Sequence, residues 1–100
     1  MHPIEKIQID FLLLKKSAII FRALNHQLRQ KIFLLLEDNS KLTVSEIYGR
    51  LGLEQSVASQ HLAIMRRAGI VKTERDRKFV YYKLNPERIS QIDRSIKELL

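Results

Sequence analysis

Residues 52–71 read GLEQSVASQHLAIMRRAGIV, and this stretch carries the strongest structural signal in the chain. Ala58, Leu62 and Met65 are spaced i, i+4 and i+7, which predicts one buried stripe along a helix. The opposite side of that helix is polar and uncharged at its start and basic further on. Gly69 is a candidate C-cap. The pattern is typical of the turn and second helix of a helix-turn-helix that runs into a strand.

The polar side of this helix, predicted over about 54–68, has the residue types that DNA recognition requires. Short hydrogen-bonding side chains reach base edges in the major groove, and cationic side chains neutralise phosphates. The sequence therefore predicts five DNA-binding residues on the recognition helix: Gln55, Ser56, Ser59, Gln60 and Arg67. The simpler alternative is a polar helix face that only contacts solvent.

The spacing of apolar residues predicts three helices ahead of this stretch. The first covers about 4–24 and is apolar on more than one side, so it needs more than one packing partner. The second runs over about 25–37, with Asn25 as a candidate N-cap. The third follows Thr43-Val44-Ser45-Glu46, which has the spacing of a capping box.

Residues 70–84 are predicted to form a hairpin of two strands joined at Asp76-Arg77. Val71, Val80 and Tyr82 form the row that is expected to face the core. Three cationic residues of this wing are predicted to grip phosphates or to enter the minor groove: Arg75, Arg77 and Lys78. The alternative is a solvated hairpin, because two acidic residues partly neutralise its tip.

A last helix is predicted over 86–100, with Asn85 as N-cap and Pro86 at the first helical position. Its apolar residues form one narrow seam, and the first helix also has surplus apolar surface. These two faces predict a homodimer. The residues expected at its interface are Ile7, Phe11, Leu14, Ile89, Ile92, Ile96 and Leu99. The alternative is a last helix that packs only on its own domain.

Composition restricts the classes of function. One hundred residues fit a single domain, and the net charge is +7. Residues 50–83 contain eight basic and three acidic residues, so +5 of that charge comes from one third of the chain, as in nucleic-acid binders. The absence of cysteine excludes disulfides and thiolate metal sites within these residues. No bilayer-spanning run or signal peptide pattern is present, so a cytoplasmic location is expected.

Catalysis, cofactors and metal ions are not expected. The sequence has no nucleophile with a partner base, no phosphate-binding glycine loop and no recognisable pair of catalytic carboxylates. His61 is interpreted as a structural histidine at the edge of the core, because His2 and His26 lie on other segments and no acidic cluster accompanies it. The sequence does not identify a small-molecule effector, and no membrane partner is expected.

The predicted fold is a winged helix-turn-helix, mainly α with a small β-hairpin, in the order α-α-α-α-β-β-α. It forms one DNA-binding domain over residues 1–100, with terminal helices over about 4–24 and 86–100 for dimerisation. Several groups of residues resemble one known family: Ala23-Leu24, Arg29 and Ile32; Leu51-Gly52-Leu53, Gln55, Ser59, His61-Leu62 and Ala68-Gly69-Ile70-Val71; and Arg75, Lys78, Val80-Tyr81-Tyr82 and Leu84.

Over roughly Phe21 to Leu84, the chain resembles the ArsR/SmtB family of small bacterial winged-helix transcriptional repressors. The resemblance implies a homodimer, held by the first and last helices, that places two recognition helices in successive major grooves of a palindromic operator. The chain lacks the cysteines of family members that sense thiophilic metals, and its last helix has no histidine. Glu54 replaces the usual serine N-cap. Arg77 replaces the usual glycine of the wing turn, where a positive φ costs on the order of 1 kcal/mol.

The functional prediction is a sequence-specific, dimeric transcriptional regulator that acts as a repressor. The main alternative is a winged-helix module for protein–protein binding, without sequence-specific DNA binding. The polar face at Ser56, Ser59 and Gln60 separates the two, because a protein-binding face favours exposed aromatics or leucine. A third alternative is an RNA-binding winged helix, which competition between DNA and RNA would distinguish.

Overall fold

The computed structural model describes residues 8–100, and its elements follow the winged helix-turn-helix order. They are α1 Phe11–Leu24, α2 Gln27–Asp38, β1 Leu42–Thr43, α3 Val44–Leu51, α4 Gln55–Arg67, β2 Val71–Asp76, β3 Phe79–Leu84 and α5 Pro86–Leu99. The predicted fold class is confirmed. One element was not predicted: β1 pairs antiparallel with β3 and gives a sheet in the order β1-β3-β2.

Two helix starts differ from the sequence prediction. The first helix begins at Phe11 because the Asp10 carboxylate accepts hydrogen bonds from the N–H groups of Leu12 and Leu13, at 3.0 and 3.2 Å. Residues 8–10 are therefore not helical, and the predicted part at 4–7 lies outside the described residues. Asn25 is not the N-cap of α2: it closes α1, and the N-cap is His26.

The segment that leads into α4 agrees with its predicted local chemistry. The capping box is confirmed, since the Glu46 N–H donates to Thr43 Oγ1 at 3.2 Å and the Thr43 N–H donates to Glu46 Oε1 at 3.0 Å. Gly52 ends α3 with φ +65°, a left-handed conformation that glycine adopts without steric penalty. The turn is closed by a bond from the Leu53 N–H to the Tyr48 carbonyl at 2.9 Å.

The end of α4 is fixed by Gly69, whose φ is +74°. The Gly69 N–H donates to the Arg66 carbonyl and the Ile70 N–H to the Met65 carbonyl, both at 2.9 Å, which is a Schellman motif. A Cβ at position 69 would also lie 2.9 Å from Arg88 Nε. Both constraints favour glycine at the point where the chain leaves α4 for the wing.

The core lies where α2, α3 and α4 meet the start of β2. The predicted buried stripe of α4 is confirmed, since Ala58, Leu62 and Met65 are 0% exposed. The largest fully buried side chains are Ile32, Ile47, Leu62, Met65, Ile70 and Val71. Burying a side chain of this size stabilises the fold by roughly 1.5–3 kcal/mol. These contacts hold α4 against the body, so its other side is presented as a rigid surface.

The wing differs from prediction in its turn and in its packing. Asp76 pairs with Phe79, so the two turn residues are Arg77 and Lys78 rather than Asp76 and Arg77. Val80 does not face the core and is 38% exposed. Exposure rises along both strands toward the tip, because this end of the hairpin extends beyond the helices. Tyr82, nearer the body, packs against the core as predicted.

Candidate nucleic-acid interface

The exposed side of α4 holds all five residues predicted to bind DNA on this helix. Gln55, Ser56, Ser59, Gln60 and Arg67 are exposed, opposite the fully buried stripe of the same helix. Within residues 8–100, no side-chain hydrogen bond engages these residues. Their donors and acceptors are therefore available to a ligand that lies along α4.

The beginning of α4 also presents backbone donors. Glu54 occupies the N-cap position, and its side chain makes no capping hydrogen bond, as expected for a residue with poor capping properties. The first N–H groups of a helix have no intrahelical partner. These N–H groups can donate to an acceptor on DNA next to Gln55, although the exposed carboxylate of Glu54 opposes an anion there.

Two open clefts border the C-terminal half of α4, and Arg67 lines both of them. The cleft toward the wing is lined by Ala63, Arg66, Arg67 and Tyr82. The cleft toward the first two helices is lined by Ile19, Arg22, Ala23, Arg29, Ile64 and Arg67. Arginine lines both clefts, and no acidic residue of the described chain lines either one. The uncharged polar stripe at residues 55–60 is thus followed along α4 by a cationic region around Arg66 and Arg67.

The three predicted wing residues, Arg75, Arg77 and Lys78, are all exposed near the tip of the hairpin. Arg77 has φ +58°, and it is the one non-glycine residue of the described chain with positive φ. Arg77 is the first of the two turn residues, and a positive φ at this position favours glycine. The strained position therefore holds a cation at the tip.

The acidic residue Glu74 does not neutralise the wing tip, contrary to expectation. Its carboxylate lies 2.8 Å from Lys41 Nζ and 3.2 Å from Lys83 Nζ, toward the base of the hairpin. The bond from Lys41, and then that from Lys83, hold the pKa of Glu74 below its ordinary value.

The wing tip also exposes an aromatic residue, Phe79, which is 47% accessible, with Lys78 Nζ 5.4 Å from its ring centroid. Sequence analysis did not identify Phe79, because alternation alone does not show where the body ends.

His61 is half-buried beside α2 rather than on the polar face of α4. Its Nδ1 lies 3.2 Å from Nη1 of Arg29, and its ring centroid lies 4.8 Å from that of His26. Burial, followed by the charges of His26 and Arg29, lowers the pKa of His61 from its ordinary value of 6.5. Among residues 8–100, no group of three metal-ligating side chains is close enough to hold a metal ion.

The residues predicted at a dimer interface fall into four groups. Phe11, Leu14, Ile96 and Leu99 are exposed, at 74, 53, 43 and 78%. Ile89 is half-buried, and Ile7 lies outside the described residues. Ile92 is only 6% exposed and belongs to the core of its own chain, so its assignment to an interface is corrected. Helical spacing places Ile92 on the seam of α5 but does not show which turns of the seam the body covers.

Further apolar surface accompanies the exposed part of this set. Leu12, Leu13 and Ile19 of α1 are 61, 58 and 50% exposed, and Leu34 of α2 is 56% exposed. An apolar groove lies between the end of α1, α2 and the second half of α5, and it is lined mainly by Phe21, Leu24, Phe33, Leu34, Ile92 and Ile96. An apolar surface of this extent is unusual on a protein that remains monomeric. No helix of the described residues has the length and apolar character needed to cross a bilayer.

A polar helix face that is followed by arginine-lined clefts, carried on a winged helix-turn-helix, defines a DNA-binding protein of the winged-helix class. Residues 26–73 match the family model described as bacterial regulatory protein, arsR family. The chain is 38% identical over 74 residues to the transcriptional activator HlyU of Vibrio cholerae, covering 74% of this chain and 68% of that protein. It is 37% identical over 79 residues to the arsenic resistance transcriptional regulator ArsR1 of Pseudomonas putida, covering 79% of this chain and 62% of that protein.

Solved structures agree with this relationship. The transcriptional repressor PagR of Bacillus anthracis is 30% identical with a TM-score of 0.70, covering 87% of this chain and 99% of that one. HlyU of Vibrio cholerae is 36% identical with a TM-score of 0.67, covering 81% of this chain and 88% of that one. The chain belongs to the ArsR family of bacterial regulatory proteins, which confirms the resemblance found in the sequence. It is a DNA-binding transcriptional regulator, in a family of regulators rather than enzymes.

Proposed function

We propose that the chain acts as a homodimer that represses transcription by binding a palindromic operator. The observation that carries this proposal is the exposed side of α4, where an uncharged polar stripe at residues 55–60 is followed by arginine-lined clefts at residues 63–67. A helix in the major groove has base edges beneath it and a phosphate backbone on each side. The polar stripe on the first half of α4 suits contacts with base edges, and the arginines beside its second half suit contacts with the phosphate backbone.

The predicted residues then divide into two roles. Gln55, Ser56, Ser59 and Gln60 are proposed to contact base edges, since glutamine can bind adenine through two hydrogen bonds and serine can bond to several bases. Four cationic residues are proposed to contact phosphates: Arg67, Arg75, Arg77 and Lys78. The first group sets sequence preference, and the second supplies affinity that falls as salt rises.

The proposed dimer uses the exposed apolar residues of the terminal helices. Phe11, Leu14, Ile96 and Leu99, together with the less exposed Ile89, are its proposed contacts. A dimer of this kind places two α4 helices one helical turn of DNA apart and so requires an inverted repeat. We propose that residues 1–100 act as one such unit in the cytoplasm, bound to the nucleoid when the operator is occupied.

The test is a selection of genomic fragments with purified protein at ~150 mM salt, where nonspecific charge binding is weakened. We expect enrichment of an inverted repeat with half-sites about one helical turn apart. The matched variant, Ser59→Ala with Gln60→Ala, retains every cation and should bind DNA with reduced sequence preference. A folded wild-type protein that enriches no sequence would contradict the proposal and would favour a protein-binding module.

The direction of regulation needs a separate test, because the relatives include both an activator and a repressor. A reporter gene is placed behind a promoter that overlaps the selected operator. Expression should fall when the protein is produced and should recover with the Ser59→Ala, Gln60→Ala variant. A rise in expression with the wild-type protein would show that it activates at this site.

A further inference from the structure

Arg29 is the one buried charged residue among residues 8–100, at 7% exposure, and no carboxylate pairs with it. Its Nε donates to the Ala23 carbonyl at 2.6 Å and its Nη2 to the Arg22 carbonyl at 3.1 Å. Both carbonyls belong to the last turn of α1, where carbonyls lack intrahelical partners and the helix dipole favours a cation. Arg29 therefore holds the end of α1 against α2.

The remaining contact of Arg29 reaches α4. Its Nη1 lies 3.2 Å from Nδ1 of His61, and a guanidinium can only donate. His61 Nδ1 must therefore be the acceptor, which requires the neutral ring with its proton on Nε2. One side chain thus connects the proposed dimerisation helix α1 to the proposed recognition helix α4.

We infer that Arg29 and His61 are positioning residues for DNA recognition, which fix the orientation of α4 relative to α1 only while His61 is neutral. The inference rests on the proposed function, because two α4 helices in a dimer joined through α1 must keep a set separation to reach both half-sites. A small rotation of α4 against α1 would move both recognition surfaces at once. The pair contacts no DNA in this arrangement and acts through the position of α4.

The surroundings of His61 leave no place for a second positive charge. A doubly protonated imidazole has no acceptor for Arg29, so the hydrogen bond is lost. The His26 ring is adjacent, and its Nδ1 accepts from the N–H groups of Leu28 and Arg29 at 3.1 and 3.5 Å. The cleft beside the pair is lined by Arg22 and Arg67 and by no acidic residue of the described chain. Protonation of His61 therefore places a cation among cations and removes the hydrogen bond through which Arg29 links α4 to α1, while the apolar core still holds α4 on the body.

This mechanism gives a pH dependence opposite to that of simple electrostatics. A lower pH makes the protein more positive, which strengthens nonspecific DNA binding. Loss of the Arg29–His61 hydrogen bond should instead let the orientation of α4 shift and so weaken binding to the operator. Each linked proton changes the Kd by at most about tenfold per pH unit. Between about pH 7.5 and 5.5 we expect the operator Kd to rise about tenfold while the Kd for an unrelated duplex stays level or falls.

The experiment measures both Kd values by fluorescence anisotropy at constant ionic strength, with the full chain and the operator obtained by selection. His26→Ser is the background, because serine retains an N-cap acceptor and does not titrate. In that background, His61→Asn places the amide oxygen at the position of Nδ1, where it can accept a hydrogen bond from Arg29. The asparagine side chain does not titrate. At neutral pH we expect the asparagine variant to bind the operator as tightly as the background protein. We expect its operator affinity not to fall when the pH is lowered.

An equal acid-dependent decline with and without the His61→Asn substitution would overturn the inference while leaving the proposed function intact. Failure of the wild-type protein to select any operator would instead overturn the proposed function. Circular dichroism at each pH shows whether the His61→Asn variant is folded. If the variant is unfolded, the ring ¹⁵N chemical shifts of the wild-type protein provide the test. A protonated Nδ1 of His61 at neutral pH would overturn the inference. An unprotonated Nδ1 that takes up its proton over the same pH range in which operator affinity falls would support it.

Discussion

Replacing Arg77 by glycine should stabilise the protein while weakening its binding to DNA. Arg77 has φ +58°, which costs a residue with a Cβ roughly 1–2 kcal/mol. Glycine removes that penalty but adds about 0.5–1 kcal/mol of unfolded-state entropy. The expected net gain is therefore roughly 0.5–1 kcal/mol, obtained at a position where the side chain is exposed and contributes nothing to the core.

The neighbouring turn residue provides a matched control. Lys78→Gly removes the same charge from the same two-residue turn, but position 78 is not at positive φ. Glycine there brings only the entropic loss of about 0.5–1 kcal/mol. The two variants should thus differ by roughly 1–2 kcal/mol, with Arg77→Gly the more stable. Urea denaturation of both variants at the same protein concentration measures the difference, since the stability of a dimer depends on concentration.

The same two variants should behave alike toward DNA. Each removes one proposed phosphate contact per subunit, so the slope of log affinity against log salt should become shallower by about 0.9 for each phosphate that is no longer neutralised. Equal free energies of unfolding for Arg77→Gly and Lys78→Gly would refute the reasoning from backbone strain. Unchanged salt slopes in both variants would remove the wing tip from the proposed phosphate contacts.

Four further predictions concern separate parts of the molecule. Thr43→Ala should destabilise the fold by about 1 kcal/mol through loss of the capping box, whereas Thr43→Ser should retain most of it, as chemical denaturation will show. Leu14→Asp should give a folded monomer in sedimentation experiments, because Leu14 is 53% exposed in the single chain; Lys31→Asp on exposed α2 surface should leave the dimer intact. Arg67→Ala should make the salt slope shallower by about 0.9 per subunit, whereas Gln60→Ala should change sequence preference at a constant slope. The folded state lowers the pKa of His61 from 6.5, so the unfolded chain binds more protons at this residue below about pH 6.5. The free energy of unfolding, measured by chemical denaturation, should therefore hold its full His61 contribution above that pH and fall below it. The fall should be smaller in His61→Asn.

Local patterns were sufficient to predict the helix-turn-helix. The stripe Ala58, Leu62 and Met65 and the capping box depend on residues within two turns of one another, so their chemistry is visible in a short window. The same window does not decide between adjacent candidate caps. Asn25 and His26 can both accept a hydrogen bond, and the bond from Arg29 to the Ala23 carbonyl fixes where α1 ends.

The errors in the wing and the last helix have a common physical cause. Alternation assigns Val80 to one side of the hairpin, and helical spacing assigns Ile92 to one seam of α5. Neither the alternation in the hairpin nor the helical spacing in α5 shows which of these residues the packed core of the domain covers. Val80 lies beyond the body and is exposed, whereas Ile92 lies over it and is buried. The two-residue strand β1 escapes prediction because it is too short to show any period.

The distribution of ion pairs explains how a modest net charge becomes a surface for DNA. Four salt bridges form among residues 8–100, and their cations are Lys41, Arg50, Lys83 and Lys97. Within that part of the chain, none of the cations flanking α4 or at the wing tip takes part in these pairs: Arg66, Arg67, Arg75, Arg77 and Lys78. The paired acids therefore reduce the positive potential elsewhere on the protein, while two exposed acids, Glu54 and Asp76, stand against the five cations beside α4 and at the wing tip. A potential concentrated in this way steers the duplex to the surface that carries the polar stripe, whereas the same charge spread evenly would bind DNA in many orientations.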